Sequence, residues 1–107
     1  MNFFDEWPPV GISMGADMIL AERRRQIEEE GYDAEHDAQH PTGALSKAAR
    51  CYAADVRVND PPPVDWPWDS GLWRPGDAVC NLVRAGALLA AEIDLQLNKW
   101  EVPDAQD

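Results

Sequence analysis

With 107 residues, 45% of them apolar and 27% charged, the chain has the size and composition of one folded domain with a single modest core, and is too apolar for a disordered segment. Twenty Asp and Glu against nine Lys and Arg leave a net charge of −11, which argues against generic binding to nucleic acid or anionic membrane, because phosphate contacts need clustered basic residues. No run of about eighteen apolar residues exists, and MNFFDEWPP has no basic region ahead of an apolar one. Neither a membrane-spanning helix nor a signal peptide is therefore expected, and the chain reads as cytoplasmic.

Residues 1–12 hold Phe3, Phe4, Trp7, Val10 and Ile12 around Pro8 and Pro9. Proline restricts the backbone and removes amide donors, so this stretch is expected to be an extended arm whose aromatics lie on the body. A first helix is expected over 16–30, capped by Ser13 or Asp17 and ended by Gly31. Its narrow stripe is Ala16, Ile19, Leu20, Arg24 and Ile27. Its acids, Glu28, Glu29 and Glu30, crowd the C-terminal end, where the helix dipole disfavours them. A second helix is expected over 43–57, with Thr42 as N-cap and Leu45, Ala48, Ala49, Tyr52 and Val56 as its stripe.

Residues 60–75, DPPPVDWPWDSGLWRP, carry five prolines and three tryptophans. A flexible linker would not carry three such large apolar side chains, so an ordered loop is expected, laying Trp66, Trp68 and Trp73 onto the helices or around a pocket. The third helix is expected over 77–100, with Pro75 in its first turn and Asp77 favoured by the dipole. Val79, Leu82, Val83, Gly86, Leu89, Ala90, Ile93, Leu97 and Trp100 recur at steps of three and four and predict the core's spine. Gly86 within it predicts a closely packed neighbour, and Pro103 is expected to end the helix, leaving 101–107 as a tail. The expected fold is mostly α: a compact three-helix domain spanning 1–107, with an ordered Pro/Trp-rich loop and an extended N-terminal arm.

Chemistry concentrates in Glu22–Pro41. Arg23, Arg24 and Arg25 lie on the first helix, and Tyr32, His36, Asp37 and His40 follow it. His36 and His40 have the i, i+4 spacing of a helical metal pair. Asp37 stands where a zinc-peptidase helix has glutamate, however, and Pro41 pushes His40 out of helical geometry. No metal and no cofactor are expected. Two readings of these side chains stay open, satisfaction of turn amides between helices and ligand binding. Cys51 and Cys80 fall in predicted helices among apolar neighbours and read as small core thiols of a reducing compartment, with no nucleophile signature.

The run ERRRQIEEEGY…EHD…H, the later WPW…WRP and LVRAGALLAAEI resemble, over about residues 17–95, small proteins of phages and prophages. Glu30-Gly31-Tyr32, then Asp37, His40-Pro41 and the helix from Asp77 to Gly86 resemble the ryanodine-receptor repeat domain. The second resemblance implies a helical module that binds nucleotide-like ligands. The residues agree with it in part. Tyr32 or a tryptophan from 66–73 can stack on a base, and Arg23–Arg25 offer forked donors to phosphate. Asp37 can accept from a ribose or base, and His40 can donate to phosphate.

The leading expectation is thus a phage-encoded protein that binds a nucleotide-derived small molecule and sequesters a host immune signalling nucleotide, without catalysis. Its candidate ligand-binding residues are Arg23, Arg24, Arg25, Tyr32, His36, Asp37, His40, Trp66, Trp68 and Trp73. One alternative is an acidic inhibitor covering a host protein, a defence or nucleic-acid-binding protein, since a −11 surface suits a basic partner. Another is an all-α, Mg²⁺-dependent nucleotide pyrophosphohydrolase resembling the MazG and dimeric dUTPase kind. Glu28–Glu30 and Glu92 with Asp94 would serve it, although no Glu-x-x-Glu is present and adjacent acids diverge around a helix. The small-residue faces at Ala48–Ala49 and Ala85–Ala91 permit either a homodimer or a close helix pair within one chain.

Overall fold

Capping chemistry sets where each helix begins. In the computed structural model, which describes residues 13–32, 39 and 43–106, with side chains through Asn98, three helices carry the chain. Helix α1 spans Met14–Glu30. The Ser13 side chain caps it by accepting from the Ala16 amide at 3.2 Å. Gly31, at φ 74°, ends it in the left-handed conformation, where a β-carbon would be strained. The Gly31 and Tyr32 amides both turn back to the Gln26 carbonyl.

Helix α2 spans Ala44–Ala53 and is capped by Gly43, itself left-handed at φ 85°. It is shorter than the 43–57 expected. Arg57 and Asp60 instead close a turn of their own, the Arg57 amide donating to the Asp60 carboxylate at 2.9 Å. Helix α3 spans Ala78–Gln106. The Asp77 carboxylate caps it by accepting from the Cys80 amide at 2.8 Å, so Pro75 precedes the helix. The helix runs through Pro103 rather than stopping there. One missing amide near a helix end removes a single backbone bond and is tolerated more easily than in mid-helix. The N-terminal arm and Thr42 lie outside the described residues.

The fold is mostly α, and no strand occurs among the described residues. Both α1 and α2 lie against α3 and hardly touch each other. Ala48, Ala49, Ala85 and Ala91 are all buried. Such small side chains let the α2 and α3 backbones approach, and Leu45, Tyr52 and Leu95 fill the space beside them. The Pro/Trp-rich loop packs on that pair. Trp73 is buried and stacks on Tyr52 at 4.8 Å between centroids, while its indole N–H donates to the Asp60 carbonyl at 2.9 Å. Trp66 meets Tyr52 edge-on at 5.6 Å and Trp68 at 5.4 Å.

Two helix faces differ from the sequence expectation. On α1 the buried residues are Arg23 and Gln26, while Leu20 and Ile27 are exposed. On α3 the core is Asn81, Ala85, Ala87, Ala91 and Leu95, and the row Val79, Leu82, Leu89, Ile93, Leu97 is exposed. This helix is apolar on both sides, so periodicity alone does not say which row faces inward; the small residues do, because only they admit close helices. Gly86 behaves as expected. A β-carbon there would come within 2.5 Å of Ile19 Cδ1 on α1. Cys80 is exposed rather than in the core, and Cys51 is buried. No described helix is long and apolar enough to cross a membrane.

Candidate functional site

Because α1 and α2 part over α3, the gap between them remains open, and the tryptophan loop closes one side. The result is a cavity of about 410 Å³. Helix α1 supplies Glu22, Arg23, Arg25, Gln26 and Glu30, with Tyr32 just beyond it. Leu45 and Tyr52 come from α2, and Arg84, Leu88 and Ala91 from α3. The loop adds Trp66, Trp68, Leu72 and Arg74. Among the described residues, four arginines against two glutamates line this hollow, in a chain whose net charge is −11.

The arginines are not equivalent. Arg23 is buried at 7% exposure and committed to structure. Its guanidinium donates to Asp94 Oδ2 on α3 at 3.0 and 3.3 Å and to the Tyr32 carbonyl at 2.9 Å. It thereby ties α1 to α3 and fixes the chain where Tyr32 enters the cavity wall. Arg25 forks onto both oxygens of Glu22 at 2.9 Å and reaches Glu30 at 2.9 Å. That fork holds the Glu22 carboxyl below the usual glutamate range against the opposing effect of burial, and nearby Arg84 adds to the pull. Gln26 donates to the same carboxylate at 3.2 Å.

Arg84 and Arg74 are different. Arg84 donates to the Arg74 carbonyl and lies over the Tyr52 ring, 5.8 Å from its centroid. The Arg74 amide donates to the Tyr52 hydroxyl at 3.1 Å. Among the described residues, neither guanidinium meets a carboxylate at ion-pair distance. These two cations can offer forked donors to an incoming anion without displacing a resident acid.

The cavity thus gathers Arg23, Arg25, Tyr32, Trp66 and Trp68 from the residues singled out in the sequence. Arg24 is elsewhere, exposed beside a shallow hollow with Leu20, Ile27 and Glu28. Consecutive helix residues point about 100° apart, so three arginines in a row cannot share one pocket. Trp73 lies beneath Tyr52 as part of the core. His36, Asp37 and His40 fall outside the described residues. Sequence reasoning missed Glu22, Arg74 and Arg84. Arg84 did carry a signal, as the lone charged residue from Ala78 to Ala91.

Other chemistry finds less support. No three metal-ligating side chains gather among the described residues. Asp94 is engaged by Arg23, and Glu92 Oε2 by Gln96 at 2.6 Å. Both thiols are pushed up, Cys51 by burial first and Cys80 by its hydrogen bond to Asp77, which makes each a poorer nucleophile. Compared with protein-family models, with curated proteins and with solved structures, the chain matches none of them.

Proposed function

We propose that this chain binds a nucleotide-derived small molecule in the cavity between α1, α2 and the tryptophan loop. The observation that carries the reading is the pair Arg74 and Arg84, cations without a carboxylate partner among the described residues, beside Tyr52 and Trp66. A flat base can lie against the aromatic wall while an anionic group takes the two guanidiniums. Affinity and enclosure are sufficient for such a protein to sequester its ligand. The phage origin rests on the sequence resemblance alone, and a host signalling nucleotide as the ligand is a proposal that follows from that origin.

Calorimetry with a panel of nucleosides, linear nucleotides and cyclic nucleotides tests the reading. Binding should weaken by about tenfold or more in Arg84→Gln, since a hydrogen bond to a charged group contributes about 1.5–3 kcal/mol. No heat from any member of the panel, with the protein shown to be folded, would sink it. A second reading, an inhibitor that covers another protein, draws on the exposed row Leu82, Leu89, Ile93 and Leu97 of α3. Retention of a host protein that is lost in Leu89→Glu, with no small-molecule binding, would favour it.

A further inference from the structure

We infer that the ligand is a single phosphomonoester carried on one heteroaromatic ring, of mononucleotide size, and not a nucleoside triphosphate or a cyclic dinucleotide. The inference rests on the cavity reading above and narrows it.

Charge supports it first. Of the four arginines lining the cavity, Arg23 is neutralised by Asp94 and Arg25 by Glu22 and Glu30. Among the described residues, the cations without a carboxylate at ion-pair distance are Arg74 and Arg84. Because Arg25 meets two carboxylates, the described lining together with Asp94 keeps one net positive charge, which a phosphomonoester, at about −1.5 to −2 near neutral pH, exceeds far less than a triphosphate does. A triphosphate brings far more negative charge than the lining balances, and the excess would meet Glu22 and Glu30, which line the same cavity. Like charges in a partly enclosed site raise the penalty.

Size supports it independently. The volume of about 410 Å³ is near the lower end of the roughly 300–1,000 Å³ typical of ligand pockets. That is room for one base, one sugar and one phosphate rather than two of each. The polar groups on the α1 side, Gln26 and the two glutamates, can accept from sugar hydroxyls or an exocyclic amine.

Quenching of tryptophan fluorescence and calorimetry on the full chain, titrated with inorganic phosphate, nucleosides, nucleoside monophosphates, flavin mononucleotide, nucleoside triphosphates and cyclic dinucleotides, provide the test. The monophosphate of at least one base or flavin should bind at least tenfold tighter than its nucleoside and than its triphosphate. Its affinity should fall as pH drops below about 6, where the phosphate takes up its second proton. Arg74→Gln and Arg84→Gln should each bring the monophosphate toward its nucleoside, and Glu30→Gln should narrow the gap to the triphosphate. A triphosphate or cyclic dinucleotide that binds as tightly as the monophosphate would overturn the inference while leaving the cavity reading in place. Silence from the whole panel, with folded protein, would remove both.

Discussion

Gly86 and Ile19 show how one missing β-carbon fixes a helix contact. Both Cδ1 and Cγ1 of Ile19 lie within 2.8 Å of where that carbon would stand, and Cγ2 lies at 3.3 Å. Ile19 is β-branched, so rotating χ1 exchanges one branch for another and gives little relief. Gly86→Ala should gain about 1 kcal/mol in helix propensity and lose about 1–3 kcal/mol to overpacking. A net loss in urea denaturation is expected, turning into a gain in an Ile19→Ala background. Stabilisation by Gly86→Ala alone would contradict the packing. Glu22 gives a second prediction at this scale. Its folded pKa is depressed by Arg25, so its contribution to stability is present above the ordinary glutamate value and is lost as pH falls through the lower folded value. Denaturation midpoints of the wild type and Glu22→Gln should therefore converge in that acidic window and separate above it.

At the scale of elements, Asn81 ties three pieces of the core together through one side chain. It is 2% exposed. Its carbonyl accepts from the Gly76 amide at 2.7 Å, and its amide group donates to the Gly76 carbonyl at 2.9 Å and the Val56 carbonyl at 3.2 Å. The exit of α2, the end of the tryptophan loop and the first turns of α3 meet at this one side chain. Asn81→Ala would strand three backbone groups, each worth about 1–3 kcal/mol when buried and unsatisfied. A loss of about 3 kcal/mol or more is expected in chemical denaturation, and under the proposed function ligand binding should weaken too, because Arg74 and Trp66 sit on the loop that Asn81 anchors. The existence of each helix was legible in the sequence, since Ser13, Gly31 and Asp77 act through local bonds. Which face turned inward was not. Leu20 and Ile27 read as the buried side of α1, yet Arg23 and Gln26 are inside. A paired arginine can replace an apolar contact only when a partner such as Asp94, distant in sequence, is at hand.

For the whole molecule, the arrangement that matters is the parting of α1 and α2 over a shared α3. It opens the cavity and also leaves the far side of α3 bare. Ile93, at 58% exposure, belongs to that bare row, while Leu95, at 7%, belongs to the core. Ile93→Glu should change folding stability by no more than about 0.5 kcal/mol, whereas Leu95→Ala should lower it by about 2–5 kcal/mol. Equal effects of the two would mean that the row is covered in the free chain. About half of the residues singled out beforehand line the cavity, and the tryptophans were legible because a loop with three of them must bury at least some. Arg74 was not, and Arg84 only as a lone charge in an apolar helix, because both are separated from α1 in the chain and only packing brings them beside Tyr52.

The sequence by itself determined a mostly helical chain, the existence of the three helices described, the caps at Ser13 and Gly31, an ordered tryptophan loop and the close approach at Gly86. All of these follow from short-range bonds, φ preferences and the size of side chains. Tertiary structure decided which apolar row of α3 is core and which arginines meet a carboxylate at ion-pair distance. Those outcomes depend on partners many residues away. Arg23 and Arg84 both stand on helices and both line the cavity, but Asp94 forms an ion pair with Arg23, while no carboxylate among the described residues stands at ion-pair distance from Arg84.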